Sequence, residues 1–169
     1  SLVFAVVGIA IVFTLLFRVV GVNGESMKPT LNSGDWLTVK AINTNYERGD
    51  IVVITQPNSL NEPLIKRVVA VAGDTVDINF AQGTVKINGE LINEPYIAEP
   101  TERMFDVAFP VTVPDGCVFV MGDNRMHSTD SRSTDIGFID TRYILGKATV
   151  RVLPFGDMNI YANFQQGEE

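Results

Sequence analysis

The sequence predicts an all-β domain of antiparallel strands carried on one N-terminal transmembrane helix. Three observations lead there. An uncharged apolar run extends from Leu2 to Phe17. From Gly21 onward the apolar residues come in short β-branched runs divided by Gly, Pro, Asn and Asp. Between two of those runs stands Asn88-Gly89, a strong type I′ hairpin signal. At 169 residues the chain is long enough for one domain with a real core and a subdomain.

The anchor is assigned to residues 1–20, because Arg18-Val19-Val20 continues the apolar run. About 19 residues at ~1.5 Å each span ~28 Å, close to the ~30 Å hydrocarbon thickness. A surface helix carries a polar face, and this run has none. A signal peptide has a shorter apolar core and a small-residue cleavage site, and neither is present. The chain opens on Ser1, so residues on the far side of the bilayer are expected to precede it, and the flanking charge does not fix orientation. Strand runs follow at Trp36–Val39, Asp50–Ile54, Leu64–Val69, Thr75–Ile78, Thr84–Ile87 and Glu90–Ile92. Asn93 to Val113 is proline-punctuated and acidic and reads as a surface excursion or flap. Strand character returns at Gly116–Met121 and Leu145–Leu153, and Asp140–Tyr143 suggests one helical turn.

Charge and cysteine usage narrow the function. A formal net charge of −7 disfavours phosphate backbones as partners, so no nucleic acid is expected. The single cysteine, Cys117, excludes an internal disulfide and is expected as a small buried apolar residue in Cys117-Val118-Phe119-Val120. No cluster with metal-ligand spacing is visible, so no metal or other cofactor is expected.

Three segments can carry chemistry. Ser26 lies in Gly24-Glu25-Ser26-Met27-Lys28-Pro29-Thr30-Leu31, directly after the apolar run. There a hydroxyl could attack a peptide bond as it leaves a bilayer, and Gly24 would let backbone amides approach an oxyanion. The hydroxyl needs a base. His127, in Asp123–Asp130, suggests a Ser-His-Asp triad, but its polar, turn-rich setting favours an exposed imidazole. Lys66 stands in an otherwise core-like run, Leu64 to Val71. Alternation puts Lys66 on one face with Leu64 and Val68, and Arg67 on the other with Ile65 and Val69. One of the two should point at apolar surface. Burial lowers a lysine pKa from ~10.4, and a neutral amine can take the serine proton. The third segment, Met121 to Arg132, ends a buried strand in a glycine and a dense polar set. Asp123 and Asn124 could close an Asx turn, and Asp130 with Arg132 suits an ion pair.

Taken together, these blocks resemble the type I signal peptidases, membrane-bound serine proteases with a Ser–Lys dyad. The blocks are Gly24–Leu31, Arg48-Gly49-Asp50-Ile51-Val52, Lys66–Asp74 and Gly122–Arg132, in the family's order. The resemblance implies an endopeptidase that removes N-terminal signal peptides from exported preproteins after Ala-x-Ala-type sites. Ser26 would be the nucleophile and Lys66 the general base, with Ser128 orienting the amine and Asp130 and Arg132 as a supporting ion pair. Backbone at Ser26 and Gly24 would hold the oxyanion. Gly24 stands where some members carry a serine, as in Gram-positive-type enzymes. Ala70 replaces a usual glycine, a change of packing only. Met27, Leu31 and Ile65 would line the shallow substrate pockets.

The partners implied are secreted preproteins and a lipid bilayer. The location implied is the cell membrane, single-pass, with the catalytic domain on the extracytoplasmic side. Residues 21–76 and 116–160 would form the catalytic β core, 77–115 a variable β subdomain and 161–169 a flexible tail. Two other readings stand beside this one. A self-processing Ser–Lys protease related to the SOS repressors is argued against by the anchor and the acidic charge. An anchored peptide-binding β module is argued against by the intact Ser26, Lys66 and Ser128.

Overall fold

The computed structural model describes residues 1–42 and 45–154; the expected tail at 161–169 and the end of the core to 160 lie outside them. The chain begins with helix α1, Leu2–Leu16. It then enters strand β1, Phe17–Gly21, followed by β2 (Trp36–Lys40), β3 (Ile51–Ile54), β4 (Leu64–Val71), β5 (Thr75–Asn79) and β6 (Thr84–Ile87). Next come β7 (Glu90–Leu91), β8 (Val111–Thr112), β9 (Cys117–Met121), β10 (Ile139–Asp140) and β11 (Ile144–Leu153). Short 3-10 turns at Arg125–His127 and Thr141–Tyr143 complete the described elements. The second of these falls where one helical turn is expected.

The expected anchor is shorter than its apolar run. α1 is 15 residues long, about 22 Å at ~1.5 Å per residue, and no helix among the described residues is long and apolar enough to cross a membrane. The helix stops because Phe17-Arg18-Val19-Val20, aromatic and β-branched, gains more by pairing as a strand. Phe17 to Gly21 run antiparallel to Lys40 to Trp36. None of the α1 residues is buried.

The strands form two antiparallel sheets. The larger has seven strands in the order β1-β2-β11-β3-β4-β9-β10, and the smaller has four, β7-β6-β5-β8. The hairpin at Asn88-Gly89 forms as expected. Both residues have positive φ, 54° and 86°, and Ile87 pairs directly with Glu90. Three apolar clusters fill the interior. One joins Val52, Leu64, Val68, Val118 and Val120. A second, with Val69, Val76, Val85, Phe119 and Met121, lies where the two sheets meet. A third packs Val22, Met27, Leu31, Leu37 and Ile51 beneath the segment that carries Ser26. Cys117 departs from expectation. It is only partly buried at the start of β9 and packs against the margin of the second cluster. Burial still pushes its thiol pKa up.

Two further expectations change. The excursion from Asn93 onward does not stand away from the domain, since Tyr96 and Thr101 are buried. Asp123 makes no Asx turn with Asn124; its carboxylate pairs with Arg67 inside the protein.

Candidate active site

β4 brings two cations into the interior on opposite faces. Where the sequence suggests that one of them is buried, both are: Lys66 is 4% exposed and Arg67 0%. A strand can hold such a pair only if each face supplies an answer to the charge.

Arg67 finds its answer in Asp123. Nε donates to Oδ1 at 2.8 Å and a terminal nitrogen to Oδ2 at 2.7 Å, a bidentate pair. A further guanidinium nitrogen donates to the Gly49 carbonyl at 2.9 Å, and the group stacks on Tyr96, 3.9 Å from its ring centroid. Thr30 Oγ1 donates to the same Asp123 carboxylate at 2.5 Å. The segment after Ser26 is thereby tied to the end of β9.

Lys66 has no such partner among the described residues. Its Nζ donates to Ser26 Oγ at 2.7 Å. Burial drives the ammonium pKa below its usual value. The Asp130 and Glu62 carboxylates oppose that in part, Arg132 reinforces it, and Asp123 opposes it weakly. The result is an amine held against a hydroxyl in a setting that favours its neutral form.

Ser26 is presented by the loop between β1 and β2. The base of that loop is closed by Val22 N to the Asp35 carbonyl at 2.8 Å and Gly34 N to the Val22 carbonyl at 2.9 Å. Met27 and Leu31 anchor it from below. From the other side Asn124 N donates to the Ser26 carbonyl at 2.9 Å, and Asn124 Nδ2 to that of Glu25 at 3.1 Å. Gly24 has φ +96°, a conformation side-chain-bearing residues rarely adopt. Its amide is occupied, donating to Ser33 Oγ at 3.2 Å. The Ser26 amide has no partner among the described residues. Of the two backbone groups expected at an oxyanion, only the Ser26 amide is therefore free to donate.

The loop after β9 forms the third wall. Ser128 is buried and its hydroxyl donates to Asp130 Oδ2 at 2.7 Å. That carboxylate also accepts from Gly122 N at 2.9 Å and from Arg132, at 2.8 Å to Oδ1 and 2.9 Å to Oδ2. Burial alone would raise the Asp130 pKa. The Arg132 hydrogen bonds and charge, the Gly122 amide and the Ser128 hydroxyl outweigh it, and the carboxyl ends below its ordinary value. No hydrogen bond joins Ser128 to Lys66 among the described residues; its hydroxyl proton is committed to Asp130 and its oxygen keeps lone pairs to accept.

A cleft of about 210 Å³ opens over the dyad, walled by Gly24, Ser26, Met27, Ile65, Lys66 and His127 among others. Of the residues expected to line substrate pockets, Met27 and Ile65 border this space. Leu31 does not; it is 1% exposed and lies in the cluster below. His127 sits exposed on the rim, and its ring makes no hydrogen bond among the described residues. The structure therefore joins Ser26 to Lys66 and leaves the alternative triad unassembled. Sequence reasoning missed the Arg67–Asp123–Thr30 link, whose one available signal was a second cation beside Lys66 in a core strand.

This arrangement can transfer a proton from a hydroxyl to a neutral amine beside a free backbone donor, at the floor of an open cleft. Comparison with known proteins finds signal peptidases. The family model described as "Signal peptidase, peptidase S26" matches residues 1–153. A signal peptidase I of Bacillus licheniformis is 36% identical over 169 residues, covering 94% of this chain and 88% of that protein. Signal peptidase I S of Bacillus subtilis (strain 168) is 36% identical over 170 residues, covering 94% and 89%. The crystal structure of a signal peptidase I from Enterococcus faecalis V583 superposes with a TM-score of 0.51 at 30% identity, over 62% of this chain and 97% of that one.

Proposed function

We propose that this chain, which belongs to the signal peptidase family, peptidase S26, removes signal peptides with Ser26 as nucleophile and Lys66 as general base. Membership supports a serine endopeptidase of signal-peptide processing. The observation that carries the finer assignment is the 2.7 Å contact between Lys66 Nζ and Ser26 Oγ.

In the proposed sequence neutral Lys66 takes the Ser26 proton as Oγ attacks the scissile carbonyl carbon. The oxyanion forms against the Ser26 amide. The ammonium then protonates the leaving amine, which departs as the mature protein's N-terminus, and the signal peptide remains as an ester on Ser26. Water gives a proton back to Lys66 as it attacks that ester, and collapse returns the proton to Ser26. Asp130 and Arg132 act through Ser128, which keeps the wall beside the amine in place. No cofactor or metal takes part.

The preprotein would lie extended in the cleft, with small residues at the first and third positions before the cut. A missing methylene costs only ~1–3 kcal/mol, so an Ala-x-Ala preference would rest on exclusion of larger side chains by Met27 and Ile65. The larger sheet would be the catalytic core and the smaller one the variable subdomain. We place the chain at the cell membrane, single-pass, with the catalytic domain on the extracytoplasmic side. The apolar run at residues 1–20 motivates that location.

The test is cleavage of a preprotein carrying Ala-x-Ala by wild type, Ser26→Ala and Lys66→Ala across pH 6 to 10 in detergent. Both variants are expected to lose all measurable turnover. Wild-type kcat/KM should rise with pH on a limb below the ~10.4 of free lysine, because only the neutral amine is a base. Turnover surviving in Lys66→Ala would overturn the assignment and return the role to His127.

A further inference from the structure

Between β7 and β8 the chain runs without regular structure, yet its polar side chains turn inward. Glu94 accepts from Arg125 through both oxygens, at 2.9 and 2.5 Å. Thr101 Oγ1 accepts from the same guanidinium at 2.6 Å. Arg125 is wholly buried, and its Nε donates back to the Gly122 carbonyl at 3.0 Å. Close by, Tyr96 stacks on Arg67 and Ala98 N donates to the Asp123 carbonyl at 3.0 Å. Arg103 closes the far end. It donates to the Met126 carbonyl at 3.0 Å, and its own carbonyl accepts from Arg132 at 3.0 Å.

Each of these partners is a residue of the loop after β9 or the cation next to Lys66. That loop also holds the Ser26 carbonyl through Asn124 and carries Ser128 and Asp130 beside the amine. Residues of the connection between β7 and β8 therefore grip the back of the loop whose front forms the site.

We propose that the segment from Glu94 to Arg103 is a brace for the catalytic loop, and that Glu94 is its positioning residue. Glu94 acts through Arg125, since a buried guanidinium deprived of its carboxylate must move or admit water. Either response shifts the wall around Lys66. The charged groups facing that amine are Asp130, Glu62, Arg132 and Asp123; three of them belong to the braced loop. Because burial is the chief cause of the depressed Lys66 pKa, a loosened wall that lets in water moves it back toward the free-lysine value. The inference rests on the Ser26–Lys66 assignment.

The test compares kcat, KM and the pH profile of preprotein cleavage in wild type, Glu94→Gln and Arg48→Met. Arg48 pairs with Asp74 at the junction of the two sheets, outside the braced loop, so its variant controls for lost stability alone. Glu94→Gln is expected to lower kcat roughly ten- to a hundred-fold, change KM little, and shift the ascending limb of kcat/KM to higher pH. Arg48→Met should lower the melting temperature and leave that limb in place. If Glu94→Gln does not fold, the isosteric Thr101→Val, which removes one acceptor from Arg125, should show the same alkaline shift on a smaller scale. A folded variant with the wild-type limb, whatever its melting temperature, overturns the brace. A wild-type enzyme indifferent to Ser26→Ala overturns instead the assignment beneath it.

Discussion

The Lys66 ammonium lies 2.7 Å from Ser26 Oγ, and only its neutral form can accept that proton. Its surroundings, more than the side chain itself, favour that neutral form, and the same close packing leaves no room for error at its neighbours. Gly122 shows this most directly. A Cβ there would run into the Ser128 side chain and the Ser26 carbonyl oxygen, so one methyl group presses on both the Ser26 loop and Ser128. Gly122→Ala is expected to cost about 1–3 kcal/mol of stability, as overpacking does, and to reduce kcat/KM by roughly a hundredfold through misplacement. Urea midpoints and preprotein cleavage check both numbers; wild-type turnover in the variant would mean the loop relaxes freely. Ser26, Lys66, Asp130 and Arg132 were legible as residue types able to carry such chemistry. Leu31 was misjudged because alternation and motif position do not say how deep a loop residue sinks.

Strand β4 is the element that organises the site. Its two-residue period sends Lys66 to Ser26 and Arg67 to Asp123, so one strand meets the Ser26 hydroxyl on one face and fixes the loop after β9 on the other. Arg67→Met leaves the Asp123 carboxylate buried without its cation and deprives Thr30 of a fixed partner. A loss of about 3–5 kcal/mol is expected. Arg67→Met with Asp123→Leu should recover much of that, since the cost lies in the orphaned charge rather than in the missing pair. A double-mutant cycle in urea reads the coupling, and purely additive losses would contradict it. Element boundaries were legible where local chemistry was strong, as at the Asn88-Gly89 hairpin. The end of α1 was not, because an apolar run is equally fit for helix and strand until a partner strand is present. β2 supplied that partner.

Across the whole molecule the two sheets meet at Asp74. Its carboxylate pairs with Arg48 and accepts from Val71 N and Asn88 Nδ2, both at 2.9 Å. Burial raises the Asp74 pKa, but those partners outweigh it, and the net shift is downward; Asp130 shifts the same way. Carboxyls with depressed folded pKa values add stability that is fully present above the ordinary ~3.9 and is lost as pH falls through the lower folded values. Urea midpoints should therefore hold at pH 5 and drop progressively below about pH 4. A midpoint unchanged down to pH 2 would refute this reading of the junction. Lys66 subtracts stability instead: its strained ammonium is penalised in full below the lowered folded value, and that cost fades as pH rises from there to the ordinary ~10.4 of lysine. The sequence by itself determined the β class, the strand runs and hairpin, and the residue types of the dyad, because period, turn chemistry and a cation in a core strand are local signals. Only the tertiary structure decided that Lys66 rather than His127 meets Ser26, that Gly24 gives its amide to Ser33, and that the Glu94–Arg103 segment grips the loop after β9. Those outcomes depend on contacts between segments far apart in the chain, and no local pattern encodes a distance of that kind.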